Sequence, residues 1–82
     1  MAEKEFDWRE RISVDPLVCH GKPCVRGTRV MVTVVLDNVA VGETFASIAD
    51  AYHLSVEDVR ACLIYAAALA KGRFMPLANE VA

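Results

Sequence analysis

The chain lacks a long hydrophobic run and any leader in which positive charge precedes an apolar segment. Its longest uncharged apolar stretch, ACLIYAAALA at residues 61–70, has ten residues, whereas about 20 are needed to cross a bilayer. Disulfide pairing is also not indicated, because three cysteines is an odd number and nothing marks the chain for secretion. We therefore expect a protein of the reducing cytoplasm that does not enter a membrane.

The chain is also too short to build a large hydrophobic core. Eighty-two residues make one domain, and a domain of this size buries only about 60–65% of the surface of its unfolded chain. A second subunit would cover part of the rest. We find no internal repeat, low-complexity segment or linker, so the sequence predicts a single domain over residues 1–82.

The net charge of −2 conceals an asymmetric distribution of charge along the chain. Residues 16–29 carry Lys22, Arg26 and Arg29 without an acid, whereas residues 30–59 carry five acids without a Lys or Arg. Most clusters of three cations are only solvated surface. The asymmetry nevertheless indicates that the two regions meet different partners.

The N-terminal part alternates apolar and polar side chains from Phe6 to Val14, which is the period of a half-buried strand. Asp15-Pro16 should end this strand, because proline has no N–H to donate to a neighbouring strand. After a turn at residues 21–23, residues 24–26 can pair with it. The sequence thus predicts a short β-strand or hairpin within about residues 6–29.

Three amphipathic helices are predicted next. Apolar residues recur at i, i+3, i+4 and i+7, and this spacing favours helices over about residues 33–40, 45–52 and 56–71. Gly42 should end the first helix, and Thr44 stands where the second needs an N-cap. The second and third helices, joined by a short turn, have a helix-turn-helix outline. The predicted fold class is a mostly α, three-helix, helix-turn-helix-like domain with a short N-terminal β-hairpin.

The third helix carries the strongest pattern. It opens with Ser55-Val56-Glu57-Asp58, which has the form of a capping box. Its core stripe is predicted to contain Val59, Cys62, Leu63 and Ala66. Five positions off this stripe, Ala61, Ile64, Tyr65, Ala67 and Ala68, are apolar as well. The helix is thus apolar nearly all round, and we expect it to be buried all round, most simply in a two-fold dimer. The predicted interface residues are Ile64, Tyr65, Ala68 and, in the short C-terminal tail over 73–82, Phe74.

The segment HGKPCVRGTRV at residues 20–30 resembles a phosphate loop, but its order is wrong. In such loops Gly-Lys-Ser/Thr comes last and opens a helix, whereas here Gly21-Lys22 comes first and Pro23 removes an amide. We expect a turn, in which Gly21 and Gly27 allow positive φ and Pro23 stiffens the backbone.

Metal and thiol chemistry are weaker alternatives. Cys19, His20 and Cys24, with His53 or Cys62, offer four ligands but not the two close pairs that are typical of structural zinc. We expect Cys24 and Cys62 to be core residues. A Cys/His nucleophile would need a lowered thiol pKa and a third orienting group, which the sequence does not indicate. The prediction is therefore no enzyme, no metal and no cofactor.

Eight pieces of the chain form a recognisable set: WRERI at 8–12, DP at 15–16, GKP at 21–23, VRGTRV at 25–30, VG at 41–42, IADAY at 48–52, Leu54, and SVEDV at 55–59 through Tyr65-Ala66. Together they resemble the domain of unknown function 433 family of small bacterial and archaeal proteins. The signature turn would comprise Gly21, Lys22, Pro23, Gly27, Thr28 and Arg29. The chain departs from the family at Cys24, where Val or Ile is usual, and at His53, where Pro is common.

The resemblance implies a helix-turn-helix-like domain that dimerises and has no enzymatic activity. Members resemble antitoxins of type II toxin-antitoxin pairs, which bind a PIN-type, ribonuclease-like toxin and repress their own operon. We therefore expect a homodimeric regulator with a ribonuclease-like toxin and operator DNA as partners. The residues expected to touch phosphate or another anion are Lys22, Arg26, Thr28 and Arg29, with a turn-capping role as the alternative for Thr28. The alternative function is a protein-interaction module without nucleic-acid binding, because the third helix starts with acidic residues that repel phosphate.

Overall fold

The computed structural model describes residues 6–72, which form a two-stranded antiparallel hairpin followed by three helices. The strands are β1 (Ile12–Ser13) and β2 (Cys24–Val25), and the helices are α1 (Val32–Ala40), α2 (Phe45–Tyr52) and α3 (Val56–Gly72). Two 3-10 helices, Trp8–Glu10 and Cys19–Gly21, precede the two strands. The predicted fold class is confirmed, and each predicted helix agrees with the observed one to within a residue at either end.

The N-terminal strand is much shorter than the alternation predicts. Trp8–Glu10 is a 3-10 helix, and the Asp7 carboxylate caps it by accepting a hydrogen bond of 3.0 Å from the Arg9 N–H. Val14 is 59% exposed rather than half-buried. An aspartate that caps a turn competes with the extended backbone, so the expectation of a strand from Phe6 onward is wrong and only the hairpin at its far end is confirmed.

The hairpin pairs Ile12 with Val25 and Ser13 with Cys24. β2 also makes an antiparallel bridge from Cys24 to Met31, so the segment entering α1 lies beside it. Ile12, Cys24 and Val25 are buried. The expected return segment therefore exists, and it connects the N-terminal part of the chain to the helical core.

The side chains predicted to cap α2 and α3 make the expected hydrogen bonds. The Thr44 hydroxyl accepts a hydrogen bond of 3.0 Å from the Ser47 N–H at the start of α2. At the start of α3 the Asp58 N–H donates to the Ser55 hydroxyl (3.1 Å), and the Ser55 N–H donates to the Asp58 carboxylate (3.0 Å). This reciprocal pair is a complete capping box. Gly42, just after α1, has φ +98°, which is the backbone expected of a residue that ends a helix.

One face of α3 is covered by the chain itself. Ala61 was expected off the core stripe but is fully buried, because the 3-10 helix Trp8–Glu10 packs against α3. The Trp8 and Tyr65 rings meet there at 5.2 Å between centroids with an interplanar angle of 60°. On this side, the apolar face of α3 is therefore buried by the N-terminal segment of the same chain and needs no second subunit.

The C-terminal half of α3 is different. Residues 67–72 are exposed, and Leu69 retains 44% of its surface. Within residues 6–72 no helix is long and apolar enough to cross a membrane. The tail over residues 73–82, with the predicted interface residue Phe74, lies outside the described part of the chain.

Candidate functional site

The signature turn is a tight reverse turn between β2 and the segment that enters α1. The Thr28 N–H donates to the Val25 carbonyl (3.0 Å), and the Val25 N–H donates to the Val30 carbonyl (2.9 Å). Gly27 has φ +81°, a left-handed backbone conformation that residues with a Cβ atom disfavour. Gly21 also has positive φ, at +80°. The expected role of both glycines is confirmed.

Thr28 acts as a cap inside this turn. Its hydroxyl donates to the Val25 carbonyl at 2.8 Å and accepts from the Val30 N–H at 3.0 Å. These two bonds use the donor and one acceptor lone pair of the hydroxyl. The turn-capping role, which the sequence left as the alternative to an anion contact, is the role seen in this fold.

Arg26 uses its guanidinium to hold the N-terminal segment. Its Nε donates to the Glu10 carbonyl at 3.0 Å, and its Nη2 donates to the Arg9 and Ile12 carbonyls at 3.1 and 2.9 Å. The Arg26 backbone N–H also donates to the Arg11 carbonyl at 2.7 Å. Most of this side chain's donors are thus engaged within the fold, and Nη1 is the nitrogen with no hydrogen-bond partner among residues 6–72.

The four predicted anion contacts do not lie on one surface. Arg26, Thr28 and Arg29 line a polar hollow of about 510 Å³, and Asp15 contributes a negative charge to it. Lys22 instead lines a separate groove. Within residues 6–72, neither the Lys22 nor the Arg29 side chain has a hydrogen bond or an ion pair, and both residues are exposed. These two cations are free to meet a ligand.

The groove beside Lys22 is apolar and has a volume of about 260 Å³. It lies between α1 and α3, and it is lined by Lys22, Pro23, Val32, Thr33, Leu36, Tyr65, Ala66 and Leu69. Of the predicted interface residues, Tyr65 lines it, Ile64 is partly buried outside it and Ala68 is exposed. Leu36 on α1 and Leu69 on α3 were not predicted as site residues, since an apolar residue at helical spacing indicates only one face of its own helix.

A charged and aromatic cluster joins the N-terminal segment to the start of α3. Arg11 Nη1 lies 3.1 Å from the Asp58 carboxylate, in a half-buried ion pair. The Arg60 guanidinium lies over the Phe6 ring at 4.9 Å. Asp58 is therefore paired as well as engaged in the capping box, which leaves Glu57 as the exposed acid of the first turn. Sequence reasoning missed these pairs because their members are far apart in the chain.

The cysteines and histidines do not assemble into a metal site. Within the described residues, no group of three or more His, Cys, Asp or Glu side chains lies close enough to hold a metal ion. Cys24 and Cys62 are buried, as expected. Burial, with the nearby Asp58 charge as a second cause, raises the pKa of Cys62 to about 11. Burial is also the main cause that raises the pKa of Cys24 to about 11. Both groups are therefore thiols at neutral pH, which is the opposite of an activated nucleophile.

A small helical domain, with a helix-turn-helix outline and a β-hairpin whose turn carries exposed cations, is the class that these elements define. The model of the family described as "Protein of unknown function (DUF433)" matches residues 12–66. The chain belongs to this family, and the resemblance found in the sequence is confirmed.

Solved structures contain a relative of the same fold. The crystal structure of Rv2018 from Mycobacterium tuberculosis matches with a TM-score of 0.62 and 30% sequence identity, over 68% of this chain and 27% of that one. The chain thus spans about a quarter of the length of Rv2018. No protein with a curated description matches this chain.

Proposed function

We propose that the chain is a non-catalytic, antitoxin-like regulator of the cytoplasm, which acts as a homodimer and binds a small ribonuclease-like toxin and its own operator DNA. The observation that carries the protein-binding part is the apolar groove between α1 and α3 (residues 22–23, 32–36 and 65–69). Three unpaired cysteines favour a reducing compartment.

The groove supports a protein partner because of what surrounds it. Leu69, on its rim, is 44% exposed, and the alanines at 67, 68 and 70 are exposed on the same half of α3. Removing apolar surface of this kind from water is favourable by about 25 cal/mol for each Å² that a partner covers. The loss of freedom on association offsets part of this gain. A helix of a second copy or of a toxin would cover it.

Binding to DNA rests on fewer residues than the sequence predicts. Since Arg26 and Thr28 already bond to backbone groups, Lys22 and Arg29 are the two predicted phosphate contacts whose side chains remain free within residues 6–72. Of these two, Arg29 is the one that borders the polar hollow. Phosphate contacts fix position rather than sequence. The expected binding is therefore weak on nonspecific duplex and strongly dependent on salt.

The alternative function is an interaction module that binds no nucleic acid. It is favoured by Asp15, which lowers the positive potential in the hollow beside Arg29, and by Glu57, exposed at the start of α3. A titration with the duplex upstream of the chain's own gene at about 50 mM salt separates the two, because phosphate contacts are strongest at low salt. Binding supports the regulator, and no binding supports the module.

The toxin is tested by tagged purification of the full chain from its native host after nuclease treatment. A small ribonuclease-like protein that co-purifies in a fixed ratio supports the proposal. Its complex is then reassembled from purified components with Leu69→Lys, which places a charge on the groove rim. Leu17→Lys is the matched control, because Leu17 is 88% exposed and lies outside the groove. Loss of the complex with both variants would remove the groove from the proposal.

A further inference from the structure

The N-terminal segment over residues 6–13, which we call the strap, is bonded to the part of the domain that lies beyond residue 23. The Arg26 guanidinium donates to three strap carbonyls, those of Arg9, Glu10 and Ile12, at distances of 2.9 to 3.1 Å. Ile12 also pairs with Val25 in the hairpin, and its side chain is buried in the hydrophobic core. The strap is therefore part of the core of the domain.

The strap also covers the first half of α3. The Trp8 ring meets the Tyr65 ring at 5.2 Å between centroids, and Arg11 Nη1 lies 3.1 Å from the Asp58 carboxylate. Arg11 and Asp58 are 47 residues apart in the chain. Nothing in these contacts requires the strap and the helix to belong to the same copy.

The loop over residues 14–21, which we call the hinge loop, is bonded mostly to itself. The Val18 N–H donates to the Asp15 carbonyl at 2.9 Å, and the Leu17 N–H donates to the Asp15 carboxylate at 2.9 Å. Among residues 6–72, its hydrogen bond to the chain beyond residue 23 runs from Cys19 Sγ to the Arg29 carbonyl at 3.4 Å, and a thiol is a weak donor. Leu17 is 88% exposed. The hinge loop therefore contributes little to holding the domain together.

The hinge loop is strained where it reverses the direction of the chain. Cys19 and His20 have φ of +52° and +58°, and non-glycine residues in this left-handed region persist only where surrounding contacts hold them. Earlier in the loop, Pro16 restricts its own φ and disfavours a helical conformation at Asp15, so this part favours an extended chain. Eight extended residues span about 27 Å. Strained loops of this kind favour the exchange of a segment between copies.

We propose that the strap binds a second copy of this chain: two copies exchange their straps, and each strap packs on residues 24–72 of the other copy. Every contact of the strap is kept on exchange, because the same donors and acceptors are present in both copies. The strain at Cys19 and His20 is released when the hinge loop opens. This inference deepens the homodimer of the proposed function and rests on that part of it alone.

Exchange makes the polar hollow a site that two copies share. Ser13 belongs to the strap, whereas Arg26, Thr28 and Arg29 lie beyond residue 23, and all four residues line the hollow. In the exchanged dimer, Ser13 of one copy therefore faces Arg29 of the other. An anion bound at Arg29 would then lie between two chains, and the dimer would contain two such hollows.

The test reverses the charges of the ion pair between Arg11 and Asp58. Full-length Arg11→Glu and Asp58→Arg chains are unfolded together, refolded together and weighed by native mass spectrometry. With exchange, both straps of a mixed dimer meet the opposite charge, whereas both straps of either homodimer meet a like charge. We expect mixed dimers to rise from the statistical half to about nine-tenths of all dimers. The capping box that Asp58→Arg removes lies within one chain, so its loss does not bias the pairing.

The matched control mixes the unaltered chain with the double variant Arg11→Glu/Asp58→Arg. Exchange in this mixture brings like charges together only in the mixed dimer, which should fall to about a tenth of all dimers. Since both of these chains carry a matched ion pair, this mixture decides the question if a single variant does not fold. Dimers that are mixed to one half in both experiments would overturn the exchange and leave the homodimer in place. A chain that stays monomeric would overturn both.

Discussion

Replacing Arg26 by Ala is predicted to destabilise the domain more than the same replacement at any other exposed cation among residues 6–72. The guanidinium donates three hydrogen bonds to the carbonyls of Arg9, Glu10 and Ile12. These bonds span 14 to 17 residues, and they connect β2 to the 3-10 helix that covers α3. Their loss should therefore loosen the whole N-terminal segment.

The expected size follows from the surroundings of these bonds. A bond from a charged donor contributes about 1.5–3 kcal/mol when buried, but two of the three are exposed and only the bond to Ile12 is partly buried. Allowing for solvent, we expect Arg26→Ala to lower the free energy of unfolding by about 2 kcal/mol. That corresponds to about 10 °C in Tm for a domain of this size. Arg26→Lys should recover little, since one ammonium cannot reproduce a planar fork.

Arg29→Ala is the matched control in a urea titration. Arg29 is three residues away and exposed, and its side chain makes no hydrogen bond within residues 6–72. Its removal should change the free energy of unfolding by less than about 0.5 kcal/mol. If Arg26→Ala also changed the free energy of unfolding by less than about 0.5 kcal/mol, the three bonds would contribute nothing measurable. The idea that Arg26 holds the N-terminal segment in place would then be refuted.

Two further predictions concern stability. Ser55→Ala removes the hydroxyl that accepts from the Asp58 N–H, and it should lower the free energy of unfolding by about 1 kcal/mol. Thr44→Ala, which removes the N-cap of α2, should lower it by a similar amount. An unchanged free energy of unfolding in either variant would contradict the capping argument. The second concerns pH. The pKa of Cys62 is raised from 9.0 to about 11, so its contribution is complete below pH 9 and is lost as the pH rises to about 11. Under reducing conditions the chain should lose about 2 kcal/mol more over this range than Cys62→Ala does, and parallel pH profiles would contradict the shift.

The helical half of the fold was predictable because its signals are local. The capping box Ser55–Asp58 and the N-cap Thr44 lie within one turn of the groups that they cap. The N-terminal half was not, because alternation records which side chains are buried rather than how the backbone lies. Trp8 and Ile12 are both turned toward the core, yet the first belongs to a 3-10 helix and the second to a strand.

The candidate site was predictable only in part, for the same physical reason. The sequence shows that Lys22, Arg26 and Arg29 are close in the chain, but not what each side chain bonds to. Arg26 binds carbonyls that precede it by 14 to 17 residues. Such side chain–backbone bonds leave no periodic pattern. The sequence therefore does not distinguish Arg26, which holds the N-terminal segment, from Lys22 and Arg29, whose side chains have no partner within residues 6–72.

The separation of Lys22 from Arg29 gives the last prediction. Lys22 borders the apolar groove and Arg29 borders the polar hollow, so a protein partner in the groove and a phosphate at the hollow should each depend on one of them. Arg29→Ala should reduce the salt slope of DNA binding by about one unit and leave the toxin complex intact. Lys22→Glu should weaken the toxin complex. If both variants changed both ligands equally, the two cations would serve one continuous surface, and the groove and the hollow would have to be treated as a single site.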